Sequence, residues 1–214
     1  MVTEVIAFSL LVIAILYFYY MDFRHRLNRL TARRDLVRAA ERLGLKRKDS
    51  AEPGALGTFE GRVDGYFVRV TADQHTKISI KLKSKRDVWL FRTNRLEKWI
   101  SRGAEFEPFP EAVSFSFRSR ALNGFFHHRF ASRSVAEALR HAGPSLRLFD
   151  ELVKKWRWTM GTMYLSGEQI SASPSRGGGH KCHSITGRQL KAFLPDLIVL
   201  AQMWDSLPEL LEER

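Results

Sequence analysis

The chain has 214 residues, of which 44% are apolar, and carries 35 Lys or Arg against 23 Asp or Glu for a net charge of +12. That length suits one ordinary domain with an appendage, and the apolar fraction excludes a disordered chain. A single cysteine, Cys182, excludes an intramolecular disulfide and leans weakly toward a reducing compartment.

The chain starts greasy. From Val5 to Met21 there are 17 uncharged residues, with Ser9 the only plainly polar one. At about 1.5 Å per residue such a helix covers roughly 25 Å, slightly under the ~30 Å hydrocarbon core. Flanking residues and local thinning make up the difference. A secretory signal would want a basic lead-in and a small-residue cleavage site, whereas this run ends on Tyr17, Phe18, Tyr19 and Tyr20. A buried soluble helix would want a polar face. The expectation is a single transmembrane anchor over residues 1–23.

The charge follows at once. Residues 21–48 hold ten Lys or Arg against three acids, more than half of the whole excess. Arg24, Arg26, Arg29, Arg33 and Arg34 lie behind the apolar run, which by the positive-inside rule puts the following chain in the cytoplasm and the amino terminus outside. Tyr17, Tyr19 and Tyr20 would then sit at the cytoplasmic interface. The arginines would face anionic headgroups at about 1 kcal/mol each, or else serve only as a solvated topology signal. Placed there, the charge speaks for membrane lipid as partner and only weakly for nucleic acid.

Residues 24–48 read as a basic juxtamembrane helix, with Leu27, Leu30, Val37, Ala40 and Leu43 at three-to-four spacing and Gly44 as a stop. Residues 49–57, rich in small residues, Pro and Gly, read as a linker to a soluble domain over 58–207, and 208–214 as an acidic tail.

Within the domain, residues 57–73 read as a hairpin turning at Val63-Asp64-Gly65. "TKISIKLKSK" alternates strictly, Ile78, Ile80 and Leu82 one way and Lys77, Ser79, Lys81 and Lys83 the other. With Arg69 on the neighbouring strand these lysines form a candidate basic sheet face. It is either a lipid- or nucleic-acid-binding patch or simply a solvated face or edge guarded by lysines. The aromatics of a single-strand-binding sheet do not interleave with them. Residues 88–100 are ambiguous between strand and helix, and 105–112 is loop. Val113, Phe115 and Phe117 point inward, "FFHHRFAS" adds a short strand, and two short helices flank Gly143-Pro144. A hairpin turns at Ser166-Gly167-Glu168. A last helix opens with Thr186 and Gln189 at capping-box spacing. It carries a stripe of Leu190, Phe193, Leu194, Leu197, Ile198, Ala201 and Trp204, with Pro195 expected to kink it. Its apolar part is too short for a second span. The fold class is α+β: an N-terminal transmembrane helix, then an antiparallel sheet with helices packed on one face.

This succession of apolar start, basic helix, Gly-rich hairpin, "FFHHRFAS", helix pair, "YLSGEQIS" hairpin and final helix resembles certain uncharacterised bacterial single-pass membrane-anchored proteins. The resemblance covers most of residues 30–207 and departs from their pattern at His127, where they carry Asp. It implies a cytoplasmic α+β domain behind an anchor and carries over no activity and no functional residues.

Chemistry has few footholds. His180, Cys182 and His183 in "RGGGHKCHS" are possible zinc ligands, but a structural site wants four ligands in spaced pairs. His127 and His128 would have to complete it through the fold. The glycines lack a phosphate-loop context, and no nucleophile motif is present. No cofactor is expected. The leading expectation is a membrane-anchored cytoplasmic domain that binds a protein partner or lipid surface. The alternative is a membrane-tethered, metal-dependent enzyme.

Overall fold

In the computed structural model the apolar start and the basic segment form one uninterrupted helix, α1 (Val2–Arg42). The structure describes residues 2–48, 57–72, 76–92, 109–142, 146–156, 161–174 and 185–207, with side chains described outside 2–8 and 24–33. From Ser9 to Phe23 every residue of α1 is exposed. Thirteen residues further on the same helix becomes core: Leu36, Ala39 and Ala40 are at most 3% exposed. Among the described residues no helix is long and apolar enough to cross a membrane.

Helix α1 stops as the sequence predicts. Gly44 takes φ of +76°. The Leu45 amide donates to the Ala40 carbonyl at 3.1 Å and the Gly44 amide to that of Glu41 at 2.9 Å. These are the two bonds of a Schellman stop, which needs a residue tolerant of the left-handed region. The basic segment over 24–48 is therefore helical only as far as Arg42. Lys46–Lys48 is not helical but forms a strand, β1, because once Gly44 has turned the chain its exposed lysines pair along the sheet margin. Of the expected linker, 49–56 lies outside the described residues.

The remaining strands are β2 (Thr58–Val63), β3 (Tyr66–Ala72), β4 (Thr76–Lys81), β5 (Val88–Arg92), β6 (Val113–Ser114), β7 (His128–Ala131), β8 (Thr162–Leu165) and β9 (Gln169–Ser173). They join one nine-stranded sheet in the order β1-β2-β3-β4-β9-β8-β5-β7-β6, and every pairing in it is antiparallel. The β2–β3 hairpin turns on Asp64 and Gly65, both with positive φ (50° and 81°). That two-residue geometry matches strand twist. The late β8–β9 hairpin wedges between β4 and β5, which are neighbours in sequence but not in space. Residues 88–92 resolve to strand, while 93–100 lies outside the described residues.

The helices after α1 are α2 (Arg120–Phe125), α3 (Arg133–His141), α4 (Arg147–Trp156) and α5 (Gly187–Ser206). Helix α2, with Ser119 as its N-cap, has no counterpart in the sequence reading. Helix α5 carries the expected capping box: the Gln189 amide donates to Thr186 Oγ1 at 3.2 Å, and the Thr186 amide to Gln189 Oε1 at 2.9 Å. Its whole predicted stripe, Leu190 to Trp204, is buried, and the helix continues through Pro195. It lies on the sheet face that presents Tyr66, Val68, Val70, Ile78 and Ile80, all 3% exposed or less, with Tyr66 Oη donating to Asp205 of α5 at 2.8 Å. An aromatic cluster extends this core: Phe149 stands 5.6 Å from Phe126 and 6.3 Å from Trp204. Phe115 and Phe117 join it, buried as expected.

Helix α1 docks onto the amino end of α5. The Gly187 amide donates to the Asp35 carboxylate at 3.1 Å, and a methyl group at Gly187 would meet the Asp35 carbonyl oxygen at 2.2 Å. The last turns of α1 are thereby part of the domain.

Candidate binding face

Strict alternation in β3 and β4 sends Val68, Val70, Ile78 and Ile80 to the helices and Arg69, Lys77, Ser79 and Lys81 to the other side. Register then fixes what lies beside them. Ser79 pairs with Arg69 on one flank and Ser171 on the other. Ser171 pairs with Tyr164, Tyr164 with Phe91, and Phe91 with His128. One row across the outer face thus runs from cation through hydroxyls to aromatic rings. At ~4.8 Å per strand, the five strands from β3 to β5 span about 19 Å.

The face is a trough of about 950 Å³, lined by Arg69, Lys77 and Lys81 from β3 and β4, by Trp89 and Tyr164 from β5 and β8, by Phe109, and by the carboxylates Asp87 and Glu168. Ser79 and Ser171 share a hydrogen bond at 2.9 Å between their hydroxyls. The Trp89 and Tyr164 rings meet edge to face at 5.1 Å and 65°, and Phe91 and Tyr164 at 6.1 Å and 87°. Burial pushes the Tyr164 phenol up from its ordinary pKa, against a bond to Ser166 that lowers it, so it is a neutral hydroxyl at neutral pH. Tyr164 escaped the sequence reading because β4 and β8 lie far apart in the chain, and Trp89 because its segment was ambiguous between strand and helix. The hairpin inserted between β4 and β5 brings Tyr164 within two strands of the lysines and beside Trp89.

The cations on the face differ in state. Arg69 Nε is bound to Glu60 Oε1 at 2.6 Å, and Lys48 reaches the same carboxylate at 3.5 Å. Burial works to raise the Glu60 pKa, but Arg69 and Lys48 outweigh it and hold the carboxyl below its ordinary value. Lys77 and Lys81 are exposed and hold no ion pair among the described residues. Lys83 does not share the face: β4 ends at Lys81, and the Lys83 ammonium sits 4.5 Å over the ring of Tyr66, which belongs to the helix-covered side.

Other sequence-derived candidates fall elsewhere. Tyr17, Tyr19 and Tyr20 are exposed on α1 and so is Arg34, while the side chains of Arg24, Arg26, Arg29 and Arg33 lie outside the described residues. His180, Cys182 and His183 lie outside them as well. His128 is exposed on β7 with its ring 6.4 Å from Phe91, and His127 is exposed beside it. Among the described residues no three His, Cys, Asp or Glu side chains group as metal ligands would.

These features define an α+β domain with a nine-stranded antiparallel sheet, helices on one side and an open polar and aromatic face on the other. No family model matches the chain, and it is similar to no curated protein. Among solved structures, the crystal structure of the mycobacterial trehalose monomycolate transport factor A, TtfA, matches with a TM-score of 0.49 at 11% identity, covering 86% of this chain and 98% of that one.

Proposed function

We propose that the protein is a single-pass membrane protein, anchored by residues 5–21, whose α+β domain lies in the cytoplasm and acts by binding a partner. The observation that carries the anchor is the exposure of α1. Phe18 and Tyr19 are each 74% exposed and Leu10, Ile13 and Leu16 about 60%. An exposed apolar surface wrapped around a whole helix needs a nonaqueous environment. The described stretch is shorter than a span. Val5–Phe8, helical in backbone and apolar in sequence, lengthen it to 17 uncharged residues. The arginines from Arg24 to Arg34 support a cytoplasmic domain, and in that position they would pair with anionic headgroups. Binding rather than catalysis is supported by the trough, whose two carboxylates, Asp87 and Glu168, are both exposed, Glu168 pairing with Lys85 at 3.2 Å.

Two measurements test this reading. The protein should stay in the membrane pellet through an alkaline carbonate wash and dissolve only in detergent. A reporter fused after Arg214 that is active only outside the cytoplasm should stay silent. Release by carbonate defeats the anchor, and an active reporter reverses the topology.

A further inference from the structure

The lysines of β4 would ordinarily be read as guards of an exposed sheet edge. The topology removes that reading, because β4 is an interior strand between β3 and β9 and the edge role falls to β1, whose three residues are Lys46, Arg47 and Lys48. Nor is the face merely solvated, since Phe67 stands 39% exposed on it and the Trp89 and Tyr164 rings line it. We infer that this outer face is a docking surface for an extended acidic peptide segment of another protein, one that also presents aromatic side chains. The inference rests on the binding role proposed above and names the partner's chemistry.

Charge complementarity carries the first half of the argument: cations outnumber the two carboxylates of the trough, Asp87 and Glu168, the latter paired with Lys85. Arg69 is committed to Glu60, whereas Lys77 and Lys81 point outward without ion pairs among the described residues. Four positions apart on one strand, they stand about 13 Å from each other, the separation of two acidic side chains four positions apart in an extended peptide. The Ser79 hydroxyl between them, which lines the trough, offers a hydrogen-bonding group to a backbone laid across. The rings carry the second half. Trp89 and Phe91 each pack edge to face against Tyr164, at 65° and 87°. Successive nucleic-acid bases need ring faces lying open in parallel, which this packing denies. Edge-to-face packing does accept a further aromatic side chain, adding to the cluster in its preferred geometry.

The test uses the full-length protein in a neutral detergent. A dye-labelled peptide of about a dozen residues, the number needed to cross the face at ~3.3 Å each, carries glutamates four positions apart and two tryptophans, and is titrated by fluorescence anisotropy. Its counterpart with lysine for glutamate, oligothymidylate of similar length, and phosphatidylglycerol vesicles are run beside it. The acidic peptide should bind, the lysine peptide should not, and the double variant Lys77→Glu/Lys81→Glu should weaken binding at least tenfold. Trp89→Ala should weaken it several-fold, and circular dichroism confirms that this variant is folded. Lys191→Glu, an equal charge change per site on exposed α5 surface, should leave binding unchanged. No binding by the acidic peptide, equal loss with Lys191→Glu, or binding only of oligothymidylate or vesicles overturns the inference. The carbonate wash is indifferent to all of these outcomes, so the anchor and the docking face fail separately.

Discussion

Asp205 gathers more of the fold than any other carboxylate described. It accepts from Tyr66 Oη at 2.8 Å, from the Ser84 hydroxyl and amide at 2.6 and 2.9 Å, and from the Lys83 amide at 3.2 Å. Burial works to raise its pKa, but these bonds to Ser84, Tyr66 and Lys83 favour the ionised form and hold it below its ordinary value. A carboxyl lowered in the folded state stabilises the fold above its unfolded pKa and loses that contribution as pH falls through the folded one. Asp205→Ala should therefore cost about 2 to 3 kcal/mol at neutral pH, from charged hydrogen bonds lost and donors left bare. In acid the gap between wild type and variant should close, as read by urea midpoints across pH. Tyr66 has the opposite sign. Burial first, then the Asp205 carboxylate, push its phenol up to about 12. Its contribution is intact below pH 10 and fades as pH rises from there toward 12. Tyr66→Phe should flatten the alkaline limb of the stability profile.

At the scale of elements, the joint between α1 and α5 is the most demanding contact. Gly187→Ala would drive a methyl into the Asp35 carbonyl and the Ala39 side chain, at 2.2 and 2.8 Å, so the helices must part. A loss of about 1 to 3 kcal/mol is expected, visible as a lower thermal midpoint. Gly44→Ala meets nothing within 4 Å and should lose only the ~1 kcal/mol of left-handed strain. Equal effects from the two would argue that helix contact is not the cause. The elements legible in the sequence are those that local chemistry decides. The α5 capping box, the Asp64-Gly65 turn and the alternation of Ile78, Ile80 and Leu82 each need only a few neighbouring residues. The missed ones depend on distant chain. Lys46–Lys48 becomes a strand only because β2 offers an edge, and α2 is six residues with no periodicity to read. The candidate face was half visible: its lysines are one strand's pattern, whereas its rings arrive from β5 and β8 through a sheet order that no local pattern encodes.

For the whole molecule, the boundary between the apolar amino-terminal segment and the domain does not fall where composition changes. Leu36, Ala39 and Ala40 of α1 and Leu45 just beyond it are core residues, so the domain owns the last turns of α1. A chain beginning at Arg34 should fold and unfold cooperatively. One beginning at Thr58 gives up those side chains, β1 and the Asp35 bond to α5, and should be recovered largely as aggregate. A stable monomer from the shorter chain would show that α1 is dispensable baggage.

The unbroken helix also fixes a bearing. Between Phe23 and Leu36 lie thirteen residue steps of α1, a rise of about 20 Å at ~1.5 Å each. Each residue also turns the domain by about 100° around the helix axis. The compass direction in which the trough looks around the α1 axis is therefore set by a residue count. Inserting one alanine between Arg29 and Leu30 should swing the trough about 100° away from a membrane neighbour while raising it only ~1.5 Å. Inserting seven should lift it about 10 Å yet leave the bearing within ~20° of the original. If the partner is itself held in the membrane, crosslinking from a probe at Lys81 should fail with the single residue and return with the seven.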